Sequence, residues 1–168
     1  GVMTEGKMKD RYVFPVFDFR NRFMGASGRD ITNTKSAKWK FAGEKSLWAY
    51  PLKYNRKILQ KTKEVILVES VGDMLALWEN GIKNVIVTFG LYVSPKIKQI
   101  LIALDPNKIY ISFNNDNNKA GNNGATKAYQ NLKRQFDAHQ LEINLPPKND
   151  FGCMSPEEIK IWNQNLKA

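Results

Sequence analysis

Val65-Ile66-Leu67-Val68-Glu69, followed by Ser70-Val71-Gly72-Asp73, is the first of two segments that decide the fold. The second is Ile109-Tyr110-Ile111-Ser112-Phe113, followed by Asn114-Asn115-Asp116 and then Lys119-Ala120-Gly121. Each opens with a short apolar run, readable as a strand buried on both faces in a parallel sheet. Each delivers acidic groups where the run stops, and open α/β sheets bind their ligands at the carboxyl ends of the strands. Hard oxygen ligands gathered there suit Mg²⁺, which favours carboxylates, keeps waters and handles phosphates. The pattern predicts metal-assisted phosphate chemistry.

Outward from these two segments the chain alternates strand and helix. A strand over 65–69 precedes a helix over about 71–80, with Ser70 as N-cap, Asp73 three residues on and Gly81 as the stop. A strand over 84–89, a helix from Pro95 to about 104 and a strand over 108–113 follow. A polar loop over 114–124 leads to a helix over about 124–137 and a strand over 140–145. Pro146-Pro147 breaks the chain, and a last helix starts near Ser155-Pro156-Glu157-Glu158. Successive β-α-β units imply a parallel sheet with helices on both faces. Upstream, residues 1–11 are polar and expected to fray. Tyr12–Asp18 and Phe23–Arg29 read as a hairpin around Phe19-Arg20-Asn21-Arg22. Residues 30–63 read as an irregular, basic, aromatic part of a small β-rich lobe. This divides the chain into a basic lobe (1–63), an α/β domain (64–151) and a C-terminal helical segment (152–168).

At 168 residues the chain can bury a real core. No apolar run is long enough for a membrane span, and the start lacks a signal-peptide layout. The single cysteine, Cys153, excludes a disulfide framework and a multi-cysteine zinc site, which fits a reducing cytoplasm. The single histidine, His139, reads as a surface residue and argues against His-based triads. Charge is unevenly placed. Residues 1–63 hold 15 Lys/Arg against 5 Asp/Glu, a surplus of ten; residues 64–168 hold 11 of each and balance. A solvated surface is the plain reading of such charge. A basic lobe beside an acidic metal site is also what an enzyme gripping a nucleic-acid backbone needs.

The candidate site residues each carry an ordinary alternative. Glu69 is a metal ligand or general base, or else an exposed carboxylate at a strand end. Asp73 is a ligand, or simply the N3 member of a capping box with Ser70. Asp116 and Asn114 face the same way if the strand persists, or else form a polar loop that caps the next helix. Asn114 offers only a neutral carbonyl oxygen. Asp150 completes an acidic cluster if the strand before it neighbours the others; otherwise it is a loop aspartate. Cys153 reads as a small, semi-buried residue. Trp39, Trp48, Tyr50 and Tyr54, set among lysines, stack on bases or form the lobe's core, the core being the stronger reading.

Taken together, residues 65–124 resemble a TOPRIM domain, the metal-binding module shared by DnaG-type primases, type IA and II topoisomerases and some nucleases. Glu69, Asn114-Asn115-Asp116 and Ala120-Gly121 stand where that family has a glutamate, an Asp-x-Asp and an Ala-Gly. Phe14-Pro15-Val16-Phe17-Asp18 through Gly25-Ala26-Ser27-Gly28-Arg29 is similar to the segment that precedes TOPRIM in DnaG-type primases, which separates primases from topoisomerases. Lys38-Trp39-Lys40 falls at a short basic motif, and Asp150 at the later acidic position. The resemblance covers about residues 12–151.

It implies a TOPRIM-like, Rossmann-like α/β sheet and the catalytic core of a DNA primase, a nucleotidyltransferase making short RNA primers. The expected cofactor is Mg²⁺ or Mn²⁺ on Glu69, Asp73, Asn114, Asp116 and Asp150, with Glu69, Asp116 and Asp150 catalytic. Arg22, Arg29, Lys38, Lys45 and Lys119 are expected to hold nucleic acid or nucleotide. The expected partners are single-stranded DNA template, ribonucleoside triphosphates and a replicative helicase, fused or separate.

Departures from the pattern keep alternatives open. Ser70 replaces a glycine, Asn114 replaces the first aspartate, two extra residues precede Lys119, and Gly152 stands where a second late aspartate is expected. A weak or inactive module that binds single strands for a helicase, or a TOPRIM nuclease, are the rival readings. The family's zinc-binding and helicase parts have no counterpart in these residues, so the expected setting is a longer, phage-type primase–helicase.

Overall fold

The computed structural model describes residues 1–34, 37–117 and 119–166. The final two residues of the expected C-terminal segment thus lie outside the described ones. Two four-stranded sheets organise the chain. The first is antiparallel, in the order β1 (Val2–Met3), β2 (Arg11–Phe17), β3 (Phe23–Asp30), β4 (Trp39–Ala42). The expected hairpin is present as β2–β3, with Tyr12 opposite Arg29 and Phe14 opposite Ser27. Residues 1–11, expected to fray, are instead tied down. Val2 pairs with Tyr12, and Met8 is buried against Gly28. Arg11 is 3% exposed; its guanidinium donates to the carbonyls of Gly28, Ala37 and Lys38. That buried fork fixes the strand entry carrying Lys38, and nothing in the local sequence signals it.

Residues 30–63 are not wholly irregular. After β4 comes helix α1 (Leu52–Thr62), which the sequence reading did not find. Its N-cap is Pro51, which offers no side-chain cap, so the usual start signal is absent. Tertiary packing holds it instead. Leu59 is buried, and Asn55 Nδ2 donates to the carbonyls of Lys83 and Val85. Lys63 in the left-handed region ends it.

The second sheet is wholly parallel. Its strands are β5 (Glu64–Val68), β6 (Val85–Val87), β7 (Lys108–Ile111) and β8 (Leu141–Ile143), ordered β6-β5-β7-β8. Helices α2 (Val71–Glu79), α3 (Pro95–Leu104), α4 (Ala120–Leu132) and α5 (Pro156–Asn165) connect or follow them. Val65 to Val68 are at most 1% exposed, as a run buried on both faces must be. Edge strand β6 is covered rather than left open: Val87 N–H donates to the Tyr50 carbonyl at 2.8 Å, and Asn55 takes two further carbonyls. Two apolar layers result. One, around Ile66, Val68, Met74 and Trp162, also takes in Val16 from the first sheet and Trp48 from the segment that follows it. The other, around Leu67, Ile97, Leu101 and Phe113, lies on the opposite face.

Several boundaries differ from expectation, among them the end of α4 at Leu132 rather than about 137, and two bear on the site. Strand β7 stops at Ile111, so alternation does not carry through to Asn114 and Asp116. Helix α4 starts at Ala120, not near 124, because Lys119 adopts the left-handed conformation and turns the chain into the helix early. Cys153 is exposed, not semi-buried. Of the four aromatics named above, Trp48 is core at 1% exposure, whereas Tyr54 is 55% exposed.

Candidate active-site cleft

Every acidic candidate sits at the carboxyl end of the parallel sheet. Glu69 follows central strand β5 directly, and its carbonyl accepts the Gly90 amide at 3.1 Å, which ties the β6 exit to it. Asn114 to Asp116 follow β7. Asp150 follows β8 across Pro146-Pro147, and two hydrogen bonds draw its loop in. Asn115 N–H donates to the Asn149 carbonyl at 2.8 Å, and Asn115 Nδ2 to the Pro146 carbonyl at 3.1 Å. Phe151, fully buried edge-on against Trp162 at 4.7 Å between ring centres, pins the turn from below.

Helix α4 approaches this loop so closely that a Cβ on Gly121 would overlap the Asn114 carbonyl. Glycine is therefore required there for steric reasons. Its amide donates to Asp116 Oδ1 at 3.3 Å and orients that carboxylate.

Asp73 closes a capping box with Ser70. Its Oδ2 accepts from the Ser70 amide at 3.1 Å and hydroxyl at 2.7 Å, and its amide donates back to Ser70 Oγ. Its Oδ1 accepts the Phe151 amide at 3.3 Å. Protein donors thus engage both oxygens of this buried side chain. Asp150 caps its own turn: Oδ1 accepts the Cys153 amide at 2.8 Å, and Oδ2 takes Asn149 Nδ2 at 3.2 Å.

The electrostatics follow from this crowding. Burial pushes the Glu69 carboxyl above its ordinary range, the charges of Asp73, Asp116 and Asp150 push it further, and an amide from Asn114 partly opposes them. Burial also raises Asp73, helped by Asp150 and opposed by its hydrogen bonds to Ser70 and Phe151. Among the described residues none of the four carboxylates pairs with a lysine or arginine. Nor do three acidic, histidine or cysteine groups among them converge tightly enough to enclose an ion. The donor set is nonetheless of the right kind for a hard divalent cation. It is all oxygen, and it carries repulsion that such a cation would relieve.

A cleft of about 1050 Å³ joins the acidic wall to the first sheet. Glu69, Asp73, Asn114 and Asp150 line one side; Arg29, Lys38 and Trp39 line the other. Of the remaining basic candidates, Lys45 donates to the Phe89 carbonyl at 3.1 Å and lies over the Phe41 ring, at the cleft edge. Lys119 lines a neighbouring polar pocket with Asp116, Lys148 and Asn149. Arg22 is not in the cleft: it pairs with Asp18 on the β2–β3 turn at 2.7 Å. Sequence reasoning missed Asn149, which lines both pockets and bonds to Asp150; only its neighbour was flagged.

A parallel sheet with acidic residues at its carboxyl edge, faced by a basic antiparallel sheet, is the arrangement expected of a TOPRIM domain. The comparisons agree: residues 66–152, more than half of the chain, match the family described as Toprim-like, and the chain belongs to it. Its relatives are DNA primases. The chain is 30% identical over 161 residues to the DNA primase of Helicobacter pylori strain J99, covering 91% of this chain and 28% of that protein. It is 34% identical over 155 residues to the DNA primase of Borreliella burgdorferi, covering 89% and 28%. The chain thus spans little more than a quarter of the primases it matches. Its fold superposes on the DnaG primase catalytic domain bound to ssDNA with a TM-score of 0.78 at 21% identity, covering 96% of this chain and 52% of that one. No described helix is long and apolar enough to cross a membrane.

Proposed function

We propose that this chain is part of the catalytic core of a DNA primase, synthesising short RNA primers on single-stranded DNA with Mg²⁺ or Mn²⁺. The observation that carries this reading is the shared cleft, with Glu69, Asn114 and Asp150 facing Arg29 and Lys38. Glu69, Asp116 and Asp150 are the residues that would hold the cation, with Asn114 as a neutral oxygen beside them. A divalent cation held by these residues would supply the positive charge that eases 3′-oxygen attack on the α-phosphate of a triphosphate. Arg29 and Lys38 hold template and nucleotide phosphates across the cleft, and such contacts carry position rather than sequence. Lys119, beside Asp116, is suited to a phosphate entering from the other side. Asp73 acts through structure, orienting α2 and the Asp150 turn, and Arg22 serves the hairpin turn. Replication in the cytoplasm, beside a fused or separate helicase, is the setting in which we place this activity.

The rival reading is a module that binds single strands without chemistry. Asn114, a neutral group where the family has its first aspartate, favours it. One experiment separates the two: metal-dependent nucleotide incorporation on a single-stranded template by wild type, Glu69→Gln and Asp116→Asn. Incorporation lost in both variants supports the primase. Equal activity in all three overturns the assigned metal site. Chelator-insensitive strand binding with no incorporation by wild type leaves the binding module.

A further inference from the structure

Among the described residues, seven other than glycine have a backbone φ in the left-handed region. Six are Asp, Asn or Lys; the seventh is Phe89, at φ 56°, in the turn that follows β6. That conformation crowds any Cβ, and a bulky side chain is a poor one to place in it. Gly90 comes next, at φ 129°, and takes such angles without strain. The chain nevertheless puts a phenylalanine, only 7% exposed, at the first of these two positions. Both residues line the cleft that holds Glu69 and Lys38.

The turn around Phe89 is held from two sides. On one side its ring sits among aromatics of residues 41–50, edge-on to Trp48 at 5.0 Å and to Phe41 at 5.9 Å, with Tyr50 at 6.1 Å between centres. Phe41 belongs to β4, the strand that begins directly after Lys38. The Phe89 carbonyl accepts Lys45 Nζ at 3.1 Å, so the same segment grips the backbone as well. On the other side the turn is bonded to the end of β5. Thr88 N–H and Oγ1 donate to the Val68 carbonyl at 2.9 and 3.0 Å, and Gly90 N–H donates to the Glu69 carbonyl at 3.1 Å. Core packing accounts for a buried ring. It does not account for a ring at a strained position whose neighbour bonds to the backbone of Glu69. Strain of this kind persists only where the surroundings over-determine it.

We infer that Phe89 is a positioning residue that fixes Glu69 relative to the basic side of the cleft. The aromatic nest holds the ring, the held ring keeps the turn on its left-handed course, and that course aims the Gly90 amide at the Glu69 carbonyl. The strand that follows Lys38 is thereby tied to the backbone of the carboxylate across from it. Groups behind a ligand set its geometry, and a cation and a phosphate that must meet across the cleft need that separation fixed. Phe89 acts through Glu69 and touches neither cation nor substrate in this role. The inference rests on the reading of Glu69 as a cation ligand.

The test compares amide exchange by NMR and Mn²⁺ binding by calorimetry in wild type, Phe89→Gly, Phe41→Leu and Leu101→Ala. Leu101 is fully buried in the opposite apolar layer and controls for lost packing alone. In metal-free protein, Phe89→Gly should speed exchange of the Gly90 amide about tenfold, the equivalent of one lost hydrogen bond, while the amides within β5 keep their protection. It should also weaken Mn²⁺ binding about tenfold, as loss of a group behind a metal ligand does. Phe41→Leu, which only loosens the nest, should shift both readouts the same way by less; it also guards against an unfolded Phe89→Gly. Leu101→Ala should lower the melting temperature and leave both readouts unchanged. Wild-type exchange at Gly90 in both phenylalanine variants overturns the inference. So does wild-type Mn²⁺ affinity in variants that have lost the Gly90 protection, and so does an equal loss of affinity in Leu101→Ala. A wild type that binds no Mn²⁺ removes the cation reading of Glu69 itself, and the positioning role with it.

Discussion

Asp73 Oδ1 accepts the backbone amide of Phe151, 78 positions away, at 3.3 Å, so a residue in the first turn of α2 holds the turn that presents Asp150. The same carboxylate closes the capping box with Ser70. Asp73→Ala leaves the Ser70 hydroxyl capping the helix but removes the carboxylate half of the capping box and orphans the buried Phe151 amide, and should destabilise the chain by about 2–3 kcal/mol in urea unfolding. Asp73→Asn keeps one accepting oxygen and should lose less. A loss under 0.5 kcal/mol in the alanine variant, the usual range of a neutral surface change, would show that the bridge matters little.

Gly121 and Asn114 are packed backbone to backbone. Gly121→Ala should displace either the loop carrying Asp116 or the first turn of α4. The expected results are a lower melting temperature and a weakened response to Mg²⁺. An unchanged melting temperature together with an unchanged response would contradict the contact.

Glu69 holds its proton more tightly in the folded chain than in the unfolded one, because it is half-buried and faces three other carboxyls. The folded state therefore binds more protons between the ordinary value of 4.5 and the raised one. Stability from this group falls as pH rises through that window and stays lower above it. In chelator, Glu69→Gln should accordingly be more stable than wild type at neutral pH, and the advantage should vanish below about pH 4. Paired thermal melts across pH measure this; an advantage that grows on acidification would reverse the sign.

Divalent cation should offset the same repulsion. Free Mg²⁺ or Mn²⁺ at about 100 times its Kd should stabilise the wild type by about 2.7 kcal/mol. Calorimetry and melts should show the effect reversed by chelator and absent in Asp116→Ala. Equal cation binding in wild type and Asp116→Ala would remove Asp116 from the ligand set.

Much of this protein was legible from local pattern. The runs at 65–68 and 109–111 are apolar because both faces of a parallel strand are covered, and that signal lies within a few consecutive residues. The capping box of Ser70 with Asp73 and the start at Ser155 are equally local and fall where expected. So does the β2–β3 hairpin, and Glu69 comes directly after β5, whereas β7 stops at Ile111, short of where the pattern put it before Asp116.

What tertiary structure alone decided involves partners distant in the chain. Helix α1 has no side-chain N-cap and is held by Leu59 and Asn55 against β6, so composition hid it. Arg11 anchors Lys38 through carbonyls 17 to 27 residues away, and Asp73 reaches across to Phe151. Asp150 joins the acidic wall only because β8 pairs with β7 and Asn115 binds its loop. The side chains that share the cleft belong to two sheets whose relative placement rests on Val16 and Trp48 entering one common core. Burial periodicity and caps are written residue by residue, whereas register between sheets and the partners of buried polar groups emerge only when the chain closes on itself.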